Sequence, residues 1–370
     1  MRAHKKYLVA GHIAKDIHIK IDNCYNLPKE FQQLIKDSIS ISKINHLLGK
    51  KWTFEKVINF LEKQIIAPIS YSYGGRGPNI AYGAAILGAN VELLGLVGSD
   101  FDIIYPGFYD GSYKNHLINA GVIINELILS QDSINKIIEE EIYGIFNIVE
   151  KEIPTIYCIN DLKGNDFYFI DDIRGAHILA NMCPIPKKTI KKYDGVLITS
   201  GEKGFNERII NYSFKINKDI LFDVGAYNLN FKYLNRIIPM CNTIFGNLYE
   251  IDLLKKSFKL KKIEDLFDIS SNIENIIVLN KIECMVKVYN NKKRAYELKI
   301  NSIEHNKKIS SVGCCDGIIA GYLGLYAQGY DIITAIKAGL IQCLNIWKVE
   351  GVQEGMLDKV NLFRELNKLT

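Results

Sequence analysis

The feature that most constrains this chain is a recurring one: short apolar runs, each followed by a segment long enough for a helix. Tyr7-Leu8-Val9-Ala10, Val91 to Gly98, Val196-Leu197-Ile198-Thr199, Asp219 to Asp223, Thr243-Ile244-Phe245 and Asn275 to Leu279 show little polar–apolar alternation. A strand that is apolar along its whole length is covered on both faces, as in a parallel sheet sandwiched between helices. Long apolar helices are expected near residues 315 to 328 and 331 to 348. The expected fold class is α/β, a doubly wound, mostly parallel sheet flanked by helices. A second pattern is superposed on the first. Residues 17–22, 69–73, 155–160 and 166–170 alternate in polarity, with Gly164-Asn165 in the turn between the last two. Alternation marks half-buried strands, so these segments should form a small separate sheet.

Near the C-terminus, Lys307 to Val312 reads as a strand-like lead-in that stops at Gly313, and Cys314-Cys315-Asp316 opens a helix-compatible run. Backbone N–H groups at a helix start lack intrahelical partners and form an anion site. Taken alone, Asp316 is most simply a first-turn acid complementing the helix dipole. The alternative is a base that takes a proton from a hydroxyl while the amides hold the phosphoryl group under attack. Far upstream, Gly74-Gly75-Arg76-Gly77-Pro78-Asn79 separates a Tyr-bearing strand from a small-residue helix, Ile80 to Gly88. Glycines let a ligand approach the backbone, and an Asn at a helix start can bond a hydroxyl.

The order Gly-Gly, Asn, small-residue helix, Gly88-Ala89-Asn90, strand, Val97-Gly98-Ser99-Asp100, together with Gly313-x-x-Asp316, resembles the PfkB (ribokinase-like) family of sugar and nucleoside kinases. The resemblance covers nearly the whole chain as one kinase domain, with a helical insertion at about 26 to 67. That insertion holds amphipathic helix candidates Lys29 to Lys36 and Thr53 to Lys63. The resemblance implies that the small sheet is a lid, that Asp16, Gly74, Gly75 and Asn79 bind the acceptor, and that Asp316 is the catalytic base. It also implies an anion hole at Gly313, Cys314 and Cys315. In Thr243-Ile244-Phe245-Gly246-Asn247-Leu248-Tyr249-Glu250, Asn247 and Glu250 match the pair placed around Mg²⁺ and phosphate, through water. ATP is the implied donor, and a monovalent cation an additional candidate cofactor.

Thr155 to Phe169, Gly175-Ala176 and Glu350-Gly351-Val352-Gln353-Glu354 look closest to the bacterial-type adenosine kinases. The implied acceptor is the adenosine 5′-hydroxyl, with a ribose- or fructose-type sugar as the alternative; Tyr71, Tyr73 and Phe169 are candidates to stack on a purine, although core packing is the commoner use of any single one. The departures cluster on the nucleotide side. Cys314 and Cys315 replace a small residue and a glycine, and Leu279-Asn280-Lys281-Ile282-Glu283-Cys284 replaces Thr-x-Gly-x-x-Gly. A divergent working kinase and a homologue that binds nucleoside without phosphorylating it both remain open, the retained Asp316, Asn247 and Glu250 favouring the first.

Composition narrows the other classes. The net charge of +5 is mild, and the Lys clusters at 259–262 and 291–294 lack interleaved aromatics, so no nucleic-acid partner is expected. The eight cysteines show no Cys-x-x-Cys pair and read as reduced thiols of a cytoplasmic protein. The apolar run after Met1 is too short for a leader or membrane span, and no other stretch suggests a membrane. The seven histidines show no ligand spacing, and no zinc site is assigned. Gly75-x-Gly77 is followed by Ile80 where a dinucleotide fingerprint needs glycine, and neither a P-loop nor a Gly-x-Ser-x-Gly elbow occurs. The expected partners are a small-molecule acceptor and ATP, in a monomer or homodimer.

Overall fold

A computed structural model describes residues 4–23, 39–40, 59–105, 111–136, 143–162, 166–171, 175–225, 230–291, 295–300 and 309–368. The larger sheet contains β1 (Lys6–Ala10), β5 (Asn90–Gly98), β6 (Glu126–Leu129), β7 (Ile145–Ile148), β10 (Gly195–Ile198), β11 (Asp219–Asp223), β12 (Thr243–Asn247), β13 (Asn275–Asn280), β14 (Met285–Asn290) and β15 (Ala295–Lys299). Their order is β15-β14-β13-β12-β11-β10-β1-β5-β7-β6. Every pairing from β6 to β13 is parallel, and β14 and β15 add an antiparallel edge. The smaller sheet has the order β3-β9-β8-β2-β4, from β2 (Ala14–Ile21), β3 (Ile39–Ser40), β4 (Ser70–Gly74), β8 (Thr155–Asp161) and β9 (Asp166–Asp171). The doubly wound sheet and the separate small sheet are therefore both present as expected.

The apolar runs are explained by what covers them. Along β1, Tyr7 and Val9 join one buried cluster while Leu8 and Ala10 join another, following the two-residue period of a strand. The first cluster is closed by α1 (Arg76–Ile86), α3 (Cys314–Tyr326) and α4 (Ile332–Ile346). On the opposite face lies α2 (Leu248–Phe258), with Ile251 and Leu254 turned into the second cluster. The long helices expected near 315–328 and 331–348 are α3, which starts one residue and ends two residues earlier, and α4, which is one residue shorter at its start and two at its end. Of the expected insertion, Lys29–Lys36 lies outside the described residues, and residues 59–62 are helical within Thr53–Lys63. Among the described residues, no helix is long and apolar enough to cross a membrane.

The strand order reverses at β1, which pairs with β5 on one side and β10 on the other. Sheets of this kind open a crevice at the carboxyl ends of the strands where the order switches. The candidate residues converge on that crevice.

Candidate active site

Asp223 is the last residue of β11 and Asn247 the last of β12; Lys281 follows the end of β13, and Ser200 lies just beyond β10. A cavity of about 200 Å³ collects these strand ends, apart from Asp223, together with the N-termini of α1, α2 and α3 and the small sheet. Asp16, Gly75, Asn79, Asn247, Glu250, Gly313, Cys315 and Asp316, eight of the ten residues singled out from sequence, line it.

Gly74 and Gly75 are glycines for separate reasons. A β-carbon on Gly74 would lie 2.0 Å from Oδ2 of Asp16, so the carboxylate occupies the space a side chain would need. Gly75 has φ +89° and caps α1, a conformation that penalises any L side chain. That turn fires the next residue, Arg76, into the centre of the site. Arg76 contacts three carboxylates: Nη2 lies 2.9 Å from Asp223, Nε 3.0 Å from Asp316, and Nη1 3.9 Å from Glu250. Burial opposes its charge, but Asp223, Asp316 and Glu250 together raise its pKa above the ordinary guanidinium value. A planar fork of donors is the side chain best suited to join several acids at once.

Asp316 stands in the first turn of α3, buried and held at both oxygens. Oδ1 accepts from Arg76, and Oδ2 accepts from Nδ2 of Asn79 at 3.0 Å. The Asn79 carbonyl in turn accepts from Gln353 at 2.9 Å, and Gln353 bonds His116 at 2.8 Å. Burial raises the Asp316 pKa while Arg76 and Asn79 pull it down, leaving it above the ordinary carboxylate value. An up-shifted carboxylate in fixed orientation is suited to accept a proton. On the other side of the cavity Asp16 is buried, with Oδ1 unpartnered. Burial, then Asp316, then Glu354 push its pKa well above the usual range. A buried acid with an unused oxygen is suited to bond the hydroxyls of a neutral polyol.

Asn247 and Glu250 form a capping box at the start of α2. Oδ1 of Asn247 accepts from Glu250 N at 2.9 Å, and Asn247 N donates to Oε2 of Glu250 at 2.7 Å. Oε1 of Glu250 remains on the cavity side, facing Arg76. One carboxylate oxygen at the wall fits a hydrated Mg²⁺, which keeps most of its waters and takes few protein ligands; the Asn247 carbonyl is already used in the cap.

Gly313 has φ +71° and precedes α3, and a β-carbon there would collide with the Val352 side chain. Cys314 turns into the core, where its thiol approaches the Cys343 carbonyl, and the Cys314 amide bonds Ser311 O. The amides of Cys315 and Asp316 are the first-turn donors without an intrahelical acceptor, aimed from the helix start that lines the cavity. Burial pushes the Cys315 thiol up to about 12, so it is neutral. Cys284 keeps φ +48°, the left-handed conformation a glycine would favour, although its β-carbon is retained. Lys281 reaches across to Ser311, with Nζ 3.1 Å from its hydroxyl.

The aromatic stacking role is corrected. Tyr73 is buried against Tyr113, rings 4.3 Å apart, and Tyr71 lies 39% exposed; neither lines the cavity. The Phe169 side chain lies outside the described residues. The apolar wall comes instead from Ile156, Cys158, Ile170 and Val352.

Asp223 gives the site a pH signature. It is wholly buried and its pKa is pushed up to about 7, by burial first, against the pull of Arg76 and with Glu250 adding to the rise. Its folded pKa lies above the unfolded value of about 3.9, so the folded state holds this proton more tightly. That contribution to stability is complete below about pH 4 and is lost as pH rises through about 7. The urea midpoint of the wild type should therefore fall between pH 5 and pH 8 by more than that of Asp223→Asn. Equal slopes for the two proteins would remove Asp223 as the source.

No family model and no curated protein matches the chain in sequence. Solved structures match it in shape. The nucleoside kinase of Methanocaldococcus jannaschii, an archaeal member of the ribokinase family, superposes with a TM-score of 0.70 at 21% identity over 99% of this chain and 100% of that one. The Burkholderia thailandensis nucleoside kinase in complex with inosine gives 0.70 at 16% identity, over 98% and 97%. The fold is ribokinase-like. The ribokinase of Cryptococcus neoformans var. grubii serotype A, in complex with ADP, shares it with a TM-score of 0.70 at 15% identity, over 98% and 100%. Within this ribokinase-like fold the cavity lies between the two sheets.

Sequence reasoning gave no site role to Arg76, Asp223 or Gln353, although Arg76 and Gln353 lie inside the motifs it singled out. The signal for Arg76 was a lone charge among glycines, and for Asp223 an acid ending an apolar strand. Neither says which carboxylates an arginine will meet from strands far away in sequence.

Proposed function

We propose that the chain is an ATP- and Mg²⁺-dependent kinase that phosphorylates a hydroxymethyl group, the 5′-hydroxyl of adenosine being the preferred acceptor. The observation that carries this reading is the environment of Asp316. A buried carboxylate at a helix N-terminus, held by Arg76 and Asn79, faces a cavity that also contains Asp16. An acid in the first turn for helix stability alone needs neither partner nor cavity.

In the proposed reaction Asp16 and Asn79, with the backbone at Gly75, hold the ribose hydroxyls. Asp316 takes the proton of the attacking hydroxyl as its oxygen bonds the transferred phosphorus and the bond to the leaving oxygen breaks. The amides of Gly313, Cys315 and Asp316 face the negative charge of the group in transit, the Cys314 amide being already bonded to Ser311 O, and Arg76 supplies the positive charge beside them. Mg²⁺ supplies charge neutralisation on the donor phosphates when it is bound, with Glu250 as the residue that would hold it through water. Drawing the small sheet over the acceptor would exclude water, the competing nucleophile.

The preference for adenosine rests on the apolar wall of Ile156, Cys158, Ile170 and Val352, which suits a base better than a bare sugar. Binding energy from the base can be used in the transition state at the remote hydroxyl, so truncation should lower kcat as well as affinity. A panel of nucleosides and sugars with ATP and Mg²⁺, read by ADP formation, is expected to give adenosine a kcat/KM at least about a hundredfold above free ribose. Equal values would overturn the nucleoside assignment and favour the sugar-kinase alternative. Cys315 places a β-carbon beside the transferred group, and this favours the second reading, a nucleoside-binding homologue; tight adenosine binding without ADP formation would establish it.

A further inference from the structure

Beside the main cavity, which His12 also lines, His12, His177 and Glu202 come together from widely separated segments. His12 sits in the turn between β1 and β2, His177 in the short 3₁₀ turn Ala176–Leu179, and Glu202 just before the helix Lys203–Lys215. One ligand atom from each lies within 4.8 Å of the other two. Both histidines are buried and Glu202 is half-buried. Their rings meet edge to face at 4.9 Å. The three also line a second, separate void of about 20 Å³. A void of that size holds one water or one ion.

We infer that His12, His177 and Glu202 form a binding site for one divalent transition-metal ion of the Zn²⁺ class. Two imidazoles and one carboxylate are the donors such ions accept, whereas Mg²⁺ and Ca²⁺ favour oxygen alone. Four-coordinate Zn²⁺ with these ligands has donor–donor edges of roughly 3.4 Å, so modest side-chain rotation closes the present spacing around an ion. Water supplies the fourth position on the half-buried side, at Glu202. A hydrogen bond that orients the carboxylate is in place, since Nδ2 of Asn181 donates to Oε2 of Glu202 at 3.4 Å. Lys203 is the neighbouring charge that opposes a cation, and the Glu202 carboxylate offsets it.

The consequence is structural. His12 also lines the main cavity, and its carbonyl oxygen lies against the Gly75 turn, where an added β-carbon would meet it at 2.4 Å. An ion on its ring ties the β1–β2 turn, which leads to Asp16, to the segments that follow β9 and β10. The ion is thus a clamp behind the acceptor site and takes no part in the chemistry at Asp316.

The test is Zn²⁺ titration of the full chain against a chromophoric chelator, with Co²⁺ absorption as a report on the ligand set. The expected result is one equivalent per chain, a tetrahedral-type visible Co²⁺ spectrum, and a rise in unfolding midpoint on adding Zn²⁺. Glu202→Gln and His177→Gln should each weaken Zn²⁺ binding at least tenfold, with unfolding midpoints in chelator equal to wild type. Glu202→Gln alters only a half-buried carboxylate, so it remains informative if the histidine variant misfolds. Absence of stoichiometric binding by the wild type, or undiminished affinity in Glu202→Gln, would overturn the site.

Discussion

Replacing Asp316 by asparagine is expected to lower kcat by about a hundredfold or more while leaving adenosine affinity within a few-fold of wild type. The amide is nearly isosteric but cannot take the acceptor proton, and with its oxygen kept on Arg76 it loses one bond, because its NH2 then faces the Asn79 Nδ2 donor that Oδ2 of Asp316 accepts from at 3.0 Å. Oδ1 now meets the Nε–H of Arg76 at 3.0 Å, and an amide oxygen can accept that bond in a weaker, uncharged form. The asparagine variant therefore separates the chemical step from the architecture. Steady-state kinetics with adenosine and ATP, set beside calorimetric titration of adenosine, provide the check. Near-normal turnover would return Asp316 to the ordinary task of complementing a helix dipole.

The second large effect belongs to Arg76. Arg76→Leu removes the cation from among three acids, of which Asp223 and Asp316 are buried and bonded to it at 2.9 and 3.0 Å. Removing one partner of a buried ion pair typically costs 3–5 kcal/mol, because the remaining charge is left without compensation. The expected loss is of about that size near pH 7.5, measured as a fall in the urea midpoint. It should be recovered in part at pH 5, because the orphaned carboxylates would titrate at raised pKa and become neutral on acidification. The same substitution should lower kcat at least about a hundredfold, since the positive charge beside the first turn of α3 is gone. Arg76→Lys keeps one charge but not the fork, so it should fall between wild type and leucine in both measurements. A leucine variant of wild-type stability would show that the acids do not depend on Arg76.

Those two residues illustrate a division in what could be read along the chain. Asp316 was legible because its signal is local: a glycine stop, a helix start and an acid within four residues. The doubly wound sheet was legible for a similar reason, since unbroken apolar runs such as Ile220-Leu221-Phe222 have few stable settings other than between two helical layers. Asp16, Gly74, Gly75 and Asn79 were legible through their order, and the fold brings Asp16, Gly75 and Asn79 to the cavity, with the Asp16 carboxylate packed where Gly74 has no side chain. Arg76 was visible as a charge, but its partners come from the ends of β11, α2 and α3, at positions 223, 250 and 316. Only the parallel stacking of strands brings those ends side by side. The aromatic candidates show the same limit, since core packing, the commoner of the two uses open to them, is the one found for Tyr73. Alternation in Ser70 to Tyr73 puts both tyrosines on one side of the strand, and says nothing of Tyr113, which covers Tyr73 while Tyr71 stays partly exposed. The histidines are the clearest case. Their spacing in sequence has no metal-ligand pattern, because His12, His177 and Glu202 reach one void through turns after three separate strands. The layered architecture and the local chemistry at each glycine-marked turn could be read along the chain, because both depend on neighbours a few residues apart. Which charges meet could not, because that is set by strand order across the sheet.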